Sequence, residues 1–278
     1  MGNVSERALR IVEEIKSRTA HGHYRLVFNE DRVPGVTESK IGGQPYWAAG
    51  MDFPVDDQGN KMLMLLQVNC AQAGLKSPLP EQGLLQWFIS VNPERMFGCR
   101  GNYSEGGDGF RIIYHEMIDE NAAWTDAPVH STIDEMLTPV RREVAIDVVP
   151  KLTMMGVSDG RFNRLFFDIV KDITGVDHTG KMWYQYLDND DCLYLEQHLG
   201  MKRPCHQMLG YPVYTQDEAR RDISCHDTLL FQLDSQFSAI DRRELVMWGD
   251  MGSGYIFINR DDLAARDFSR TYYCWDCG

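Results

Sequence analysis

The same run of landmarks occurs twice in this chain, and it restricts the fold more than any other feature. Ile41-Gly42-Gly43-Gln44-Pro45-Tyr46-Trp47 is answered by Leu209-Gly210-Tyr211-Pro212-Val213-Tyr214, with Gly43 on Gly210, Pro45 on Pro212 and Trp47 on Tyr214. Downstream, Leu65-Leu66-Gln67-Val68-Asn69 meets Leu230-Phe231-Gln232-Leu233-Asp234, and Trp87-Phe88-Ile89-Ser90 meets Ile256-Phe257-Ile258-Asn259. Gly43 precedes Gln67 by 24 positions and Gly210 precedes Gln232 by 22. Landmarks in one order at near-equal spacing predict two copies of one unit, about 27–114 and 205–275, joined by a mainly helical segment over 150–204.

The second landmark carries polar residues where a strand should be apolar. Side chains alternate across a strand, so Leu66 and Val68 share one face, as do Phe231 and Leu233, and these are the core faces. Gln67 and Asn69, like Gln232 and Asp234, point the other way. Two readings are open: each glutamine satisfies backbone groups of a neighbouring loop, or the polar faces line a groove between the copies. A groove would gather Tyr46, Trp47, Gln67, Tyr214, Gln232 and Asp234 at one surface. Aromatic anchors beside polar groups are the usual make-up of a binding hot spot, and Asp250 is a further partner-binding candidate.

The rest of the chain reads as α+β with mostly antiparallel sheet. Val4, Ala8, Ile11, Val12 and Ile15 fall at helical spacing and predict an N-terminal helix, with Asn3 and Glu6 as a loose capping box. Strands are expected over 23–28, 62–68, 84–90, 110–114 and 140–149, and a glycine-rich mobile loop over 98–109. The period then changes: Phe162, Leu165, Phe166, Ile169, Val170 and Ile173 form one broad helix face. A second helix is expected over 190–199, stopped by Gly200. Strands return over 228–234, 244–248, 255–259 and 270–275. Strands, then helices, then strands is not the alternation of a doubly wound sheet.

Composition excludes several function classes. With 43% hydrophobic residues there is material for a sizeable core without disulfides or metal. The net charge of −13 and the scattered Lys and Arg argue against nucleic acid and against an anionic membrane surface. An acidic surface keeps a protein soluble or suits a basic partner. No run approaches a membrane span, and MGNVSERALR has neither a signal-peptide core nor the hydroxyl that myristoylation requires at position 6. Seven cysteines, mostly single, fit free thiols in a reducing compartment, so a cytoplasmic location is expected.

Reactive constellations are scarce. Gly249-Asp250-Met251-Gly252-Ser253-Gly254 precedes a strand rather than a helix and reads as a hairpin turn, not a phosphate cradle. Cys274-Trp275-Asp276-Cys277 has no second close pair, and zinc requires four ligands. Asp188-Asn189-Asp190-Asp191 lacks the glycine and distal glutamate of a calcium loop. His21-Gly22-His23 is a histidine pair without a wider ligand set. The serines have no recognisable base partner in the sequence. No catalytic residue, metal or cofactor is expected.

The stretches that carry the repeat resemble the YwqG-like family. The resemblance rests on Ser39-Lys40-Ile41-Gly42-Gly43-Gln44-Pro45-Tyr46-Trp47, the 65–68 strand and Gly83-Leu84-Leu85-Gln86-Trp87-Phe88. In the C-terminal part it rests on Leu209-Gly210-Tyr211-Pro212, Gln216-Asp217, Leu229 to Ser235, Trp248-Gly249-Asp250 and Asp267-Phe268-Ser269. It implies one domain over 1–278 with a duplicated β-rich fold and no established catalysis. The family is a bacterial domain of unknown function, whose members are suspected immunity proteins against secreted toxins. It is similar to the core of the eukaryotic programmed cell death protein 2 group, associated with escorting a ribosomal protein. This chain lacks that group's zinc-finger insertion. The expectation is a non-enzymatic protein-binding module, of toxin-immunity or client-escort kind, with a protein partner of basic character. The alternative is an enzyme, for instance a hydrolase, with Gln67, Gln232, Asp234 and Asp250 forming a polar site between the copies.

Overall fold

The computed structural model describes residues 4–99, 103–104, 109–119, 126–178, 180–218, 220 and 222–278. Most of the loop expected over 98–109 lies outside the described residues.

The chain opens with helix α1 (Glu6–Thr19), followed directly by β1 (His21–Asn29). Ser5 caps α1, its Oγ accepting from Ala8 N at 3.1 Å. This replaces the capping box expected from Asn3, which lies outside the described residues. Then come β2 (Lys40–Ile41), β3 (Leu63–Asn69), β4 (Leu84–Ile89), β5 (Tyr103–Ser104), β6 (Phe110–His115) and β7 (Val144–Thr153). Val140, expected to start the last of these, instead bridges Val246. The helical middle is α2 (Phe162–Thr174), α3 (Trp183–Tyr186) and α4 (Asn189–Leu199). β8 (Gln207–Met208), β9 (Thr228–Asp234), β10 (Gln236–Phe237), β11 (Glu244–Val246), β12 (Ser253–Ile258), the short helix α5 (Arg260–Ala265) and β13 (Tyr272–Asp276) complete the chain. Helix α5 was not expected. Asn259, read as strand, caps it by accepting from Asp261 N at 2.8 Å.

Eleven strands form one antiparallel sheet in the order β5-β13-β12-β9-β8-β1-β7-β2-β3-β4-β6. Its centre is the β1–β7 ladder, which runs from His21 opposite Thr153 to Asn29 opposite Ala145. On one side Lys40 of β2 stands opposite Gln67 of β3, and on the other Gln207 of β8 stands opposite Gln232 of β9. Lys40 and Gln207 each lie three residues before the matched glycines, so the two ladders have the same register.

The sheet curls until strands far apart in its order face each other. Trp87 of β4 stacks 6.3 Å from Phe231 of β9 and meets Tyr273 of β13 edge-on at 5.4 Å. Leu66, Val68, Phe231 and Leu233 lie in this main core, on the face that alternation assigns them. A second core joins the helices: Ile11, Val12 and Ile15 of α1 pack with Phe166 and Ile169 of α2 and Leu195 of α4. Asp191 of α4 ties this layer together by accepting from Ser5 N at 2.8 Å and Ser5 Oγ at 2.6 Å.

The glycine-rich segment after Trp248 corrects an expectation. β11 pairs with β10, whereas β12 pairs with β9 and β13, so residues 249–252 pass between two sheets and close no hairpin.

Candidate functional site

The outer face of β3 is covered by the chain from Val36 to Tyr46, and this cover explains Gln67. Its side chain is fully buried. Oε1 accepts from Tyr46 N at 3.0 Å and Gln86 Nε2 at 2.8 Å, while Nε2 donates to Val36 O and Glu38 O, both at 2.8 Å. A primary amide has two donors and two acceptor positions, and all four are used. Gln86 Oε1 faces His115 Nε2 at 2.9 Å, and an amide oxygen can only accept, so this ring nitrogen carries the proton. Burial pulls His115 down to about 4, consistent with a neutral ring. Trp47 is 3% exposed, sandwiched edge-on by Phe88 and His115 and donating to Met51 O at 2.9 Å. The Tyr46 hydroxyl accepts from Asp119 N at 2.9 Å.

A second buried network surrounds Gln232. Oε1 accepts from Val213 N and Gln207 Nε2, both at 3.1 Å; Nε2 donates to Val213 O at 3.1 Å and Asp234 Oδ1 at 2.8 Å. Asp234 is buried too and also accepts from Ser253 Oγ at 2.7 Å, Cys205 N at 2.6 Å and Arg203 Nε at 3.2 Å. Tyr214 donates to Glu218 and packs 4.9 Å from Tyr255.

The sequence candidates therefore fall into two interior groups, Tyr46, Trp47 and Gln67 in one and Tyr214, Gln232 and Asp234 in the other. Asp250 alone is exposed. The groove that would gather them at one surface is replaced by buried networks, because each half lays its own loop over the polar face of its strand.

Reactive groups are quiet elsewhere. All seven cysteines are free. Burial pushes Cys70 and Cys205 up to about 12 and raises Cys99, Cys192 and Cys274; a hydrogen bond to Asp222 raises exposed Cys225. The thiolate is the reactive form, so none of these six is activated. Among the described residues no group of three or more His, Cys, Asp and Glu side chains is placed to hold a metal, and no helix is long and apolar enough to cross a membrane.

A cleft of about 640 Å³ opens where the α1–β1 junction, the end of β7, the 76–78 loop and the starts of β9 and α5 meet. Its walls carry Arg18, Lys76, Lys151, Arg161 and Arg260 against the single carboxylate of Asp227. This sign is opposite to that of the whole chain. Three of the cations are already matched: Arg18 by Glu14 and Asp172, Lys76 by Glu81, and Arg161 by the buried Asp159 at 2.7 Å. Lys151 and Arg260 have no ion pair among the described residues. His23 also lines the cleft, stands opposite Lys151 in the β1–β7 register, and is 3% exposed with neither ring nitrogen hydrogen-bonded. Burial, followed by the charges of His21, Arg25 and Lys151, pulls His23 down to about 4. Between the two histidines Gly22 faces open space: a Cβ there would touch nothing within 4 Å.

Sequence reasoning weighed His21-Gly22-His23 only as metal ligands and missed the cleft. The available signal was strand alternation, which puts His21, His23 and Arg25 on one face of β1.

The family model described as a domain of unknown function, DUF1963, matches residues 39–277. The chain belongs to the DUF1963 family. No curated protein matches it. The DUF1963 match contains Gln67 and Gln232 together with Lys151, Arg161 and Arg260, while Val36 and Glu38, which accept from Gln67, precede it. It leaves out α1 and β1, so His21, Gly22 and His23 reach the cleft from outside the matched segment.

Proposed function

We propose that the chain is a duplicated, YwqG-like, non-enzymatic module that binds a protein partner, in the manner of a toxin-immunity or client-escort protein. The observation that carries this reading is the use made of the matched polar residues. Gln67 and Gln232 spend every hydrogen-bonding position inside the fold. They hold a cover loop in place and leave nothing for a substrate. The duplication is supported by the same bonds, since Tyr46 and Val213, which donate their backbone N–H to the two glutamines, occupy matched positions. The net charge of −13 favours a partner of basic character.

The competing reading, a hydrolase with its site between the copies, needs an accessible polar pair. Asp234 instead accepts four hydrogen bonds in the interior, and Asp250 sits on the exposed turn. The deciding experiment isolates the tagged chain from its own cells, then measures association with the recovered partner at low and high ionic strength. The binding reading expects a stoichiometric basic protein whose association slows as salt rises, because steering charges are screened. Recovery of the chain alone, with turnover of ester or amide substrates, would move the assignment to the hydrolase.

A further inference from the structure

We propose that the basic cleft beside β1 is a binding site for a small organic phosphate of nucleotide size. This site is separate from the protein-binding reading and does not depend on it. Five cations and one carboxylate line an opening on a protein whose carboxylates otherwise outnumber its cations. After the existing ion pairs are counted, Lys151 and Arg260 remain against the one carboxylate of Asp227, so the cleft as built carries about one uncompensated positive charge, which an anionic phosphate group would meet.

His23 points to a ligand independently of that balance. A buried polar atom without a partner costs free energy comparable to a lost hydrogen bond, and such atoms are rare. His23 keeps both ring nitrogens unpartnered at 3% exposure, in a wall of the cleft and directly across the ladder from Lys151. Neither nitrogen has accessible surface in the wall as it stands, so a phosphate group would be met by the cations around His23. Lys151 can meet the same group as a flexible point charge. Arg161 is held in place by two bonds to the buried Asp159, at 2.8 and 2.7 Å, which leaves it an oriented rather than a free cation.

The size of the cleft adds the organic part. About 640 Å³ lies within the range of pockets that take nucleotide-sized molecules and exceeds what a bare phosphate fills. Tyr24, Pro78, Pro150 and Tyr211 supply apolar wall for a ring or sugar. Gly22 leaves the floor open.

The test is calorimetric titration of the full chain with ATP, pyrophosphate and adenosine. The proposal expects ATP and pyrophosphate to bind and adenosine not to. It expects Lys151→Glu and Gly22→Phe each to weaken ATP binding by about tenfold or more, the loss of one charge-assisted contact. Lys202→Glu, on an exposed residue outside the cleft, makes the same change in net charge and should leave binding within about twofold. ATP binding more tightly than pyrophosphate assigns a nucleotide, and equal binding assigns the phosphate oxygens as the determinant; both support the site. If Gly22→Phe lowers the melting temperature, Lys151→Gln carries the test, since this side chain is exposed. Absence of ATP and pyrophosphate binding would overturn the proposal. So would adenosine binding as tightly as ATP, or an equal loss in Lys202→Glu and Lys151→Glu.

Discussion

His206 Nδ1 accepts the backbone N–H of Asp234 at 3.0 Å, and this bond fixes the protonation of a buried ring. A nitrogen that accepts carries no proton, so Nε2 holds it and donates to Gln236 Oε1 at 2.7 Å. Burial, opposed by Asp234, leaves His206 below its ordinary value.

His206 shares this condition with His23 and His115, and together they predict an acid-sensitive fold. Burial holds His23 and His115 at about 4 against an ordinary 6.5. Across that window the unfolded chain binds more protons than the folded one, so stability rises with pH. It is complete above about 6.5 and is lost progressively as pH falls towards 4. Urea midpoints at pH 7, 5.5 and 4.5 should decline in that order. The decline should be smaller in His23→Phe, which should match or exceed the wild type at pH 7 because it removes two unpartnered buried nitrogens. A flat profile in the wild type would contradict the neutral rings.

Gln67→Leu and Gln232→Leu should each destabilise the fold by about 2–4 kcal/mol, because the apolar side chain strands buried backbone groups of the cover loop. Equal treatment of the two halves predicts losses of similar size. A loss below about 0.5 kcal/mol in either variant, the scale of an ordinary surface change, would show that its network does not hold the loop.

Much of the framework was legible because it is local. Alternation in β3 and β9 put Leu66, Val68, Phe231 and Leu233 on the core side, and the 3.6 period marked the buried face of α2. What covers the other side of β3 is not a local property. A strand whose polar face is sealed by a loop's backbone has the same pattern as one facing water, so Gln67 pointed equally to a groove and to a satisfied interior. The central β1–β7 ladder joins residues more than a hundred positions apart, and no periodicity reports such a pairing. The cleft escaped for the same reason: Arg18, Lys76, Lys151, Arg161 and Arg260 come from separate segments and meet only when the ladder forms.

Trp47→Ala is expected to act on folding. The ring is 3% exposed and lies 4.9 Å from both Phe53 and His115. Its removal should cost about 3–5 kcal/mol, the usual price of an aromatic cavity. Trp275→Ala, 5% exposed against Phe97, should cost a similar amount. Both are measured by denaturant melts, and partner affinity is then compared at equal folded fraction. A Trp47→Ala protein as stable as the wild type would place the ring outside the core.

Arg220→Met tests the buried ion network beside the C-terminal half. The Arg220 guanidinium is fully buried, 2.6 Å from Glu218 and 3.6 Å from Asp159, with its plane 4.6 Å from the Phe257 ring centroid. Removing it leaves Glu218 without a cation among the described residues and Asp159 with Arg161 alone, so a loss of about 3–5 kcal/mol at pH 7 is expected. Burial by itself would raise the Glu218 carboxyl, but Arg220 and Tyr214 outweigh it and hold it below its ordinary 4.5. Such a carboxylate contributes stability above its ordinary value and loses it as pH falls through the lowered one. The gap between Arg220→Met and wild type should therefore narrow below about pH 4.5, as Glu218 takes a proton and no longer needs its partner. A gap that stays constant from pH 7 to 3.5 would assign the loss to the packing of Arg220 on Phe257 rather than to its charge.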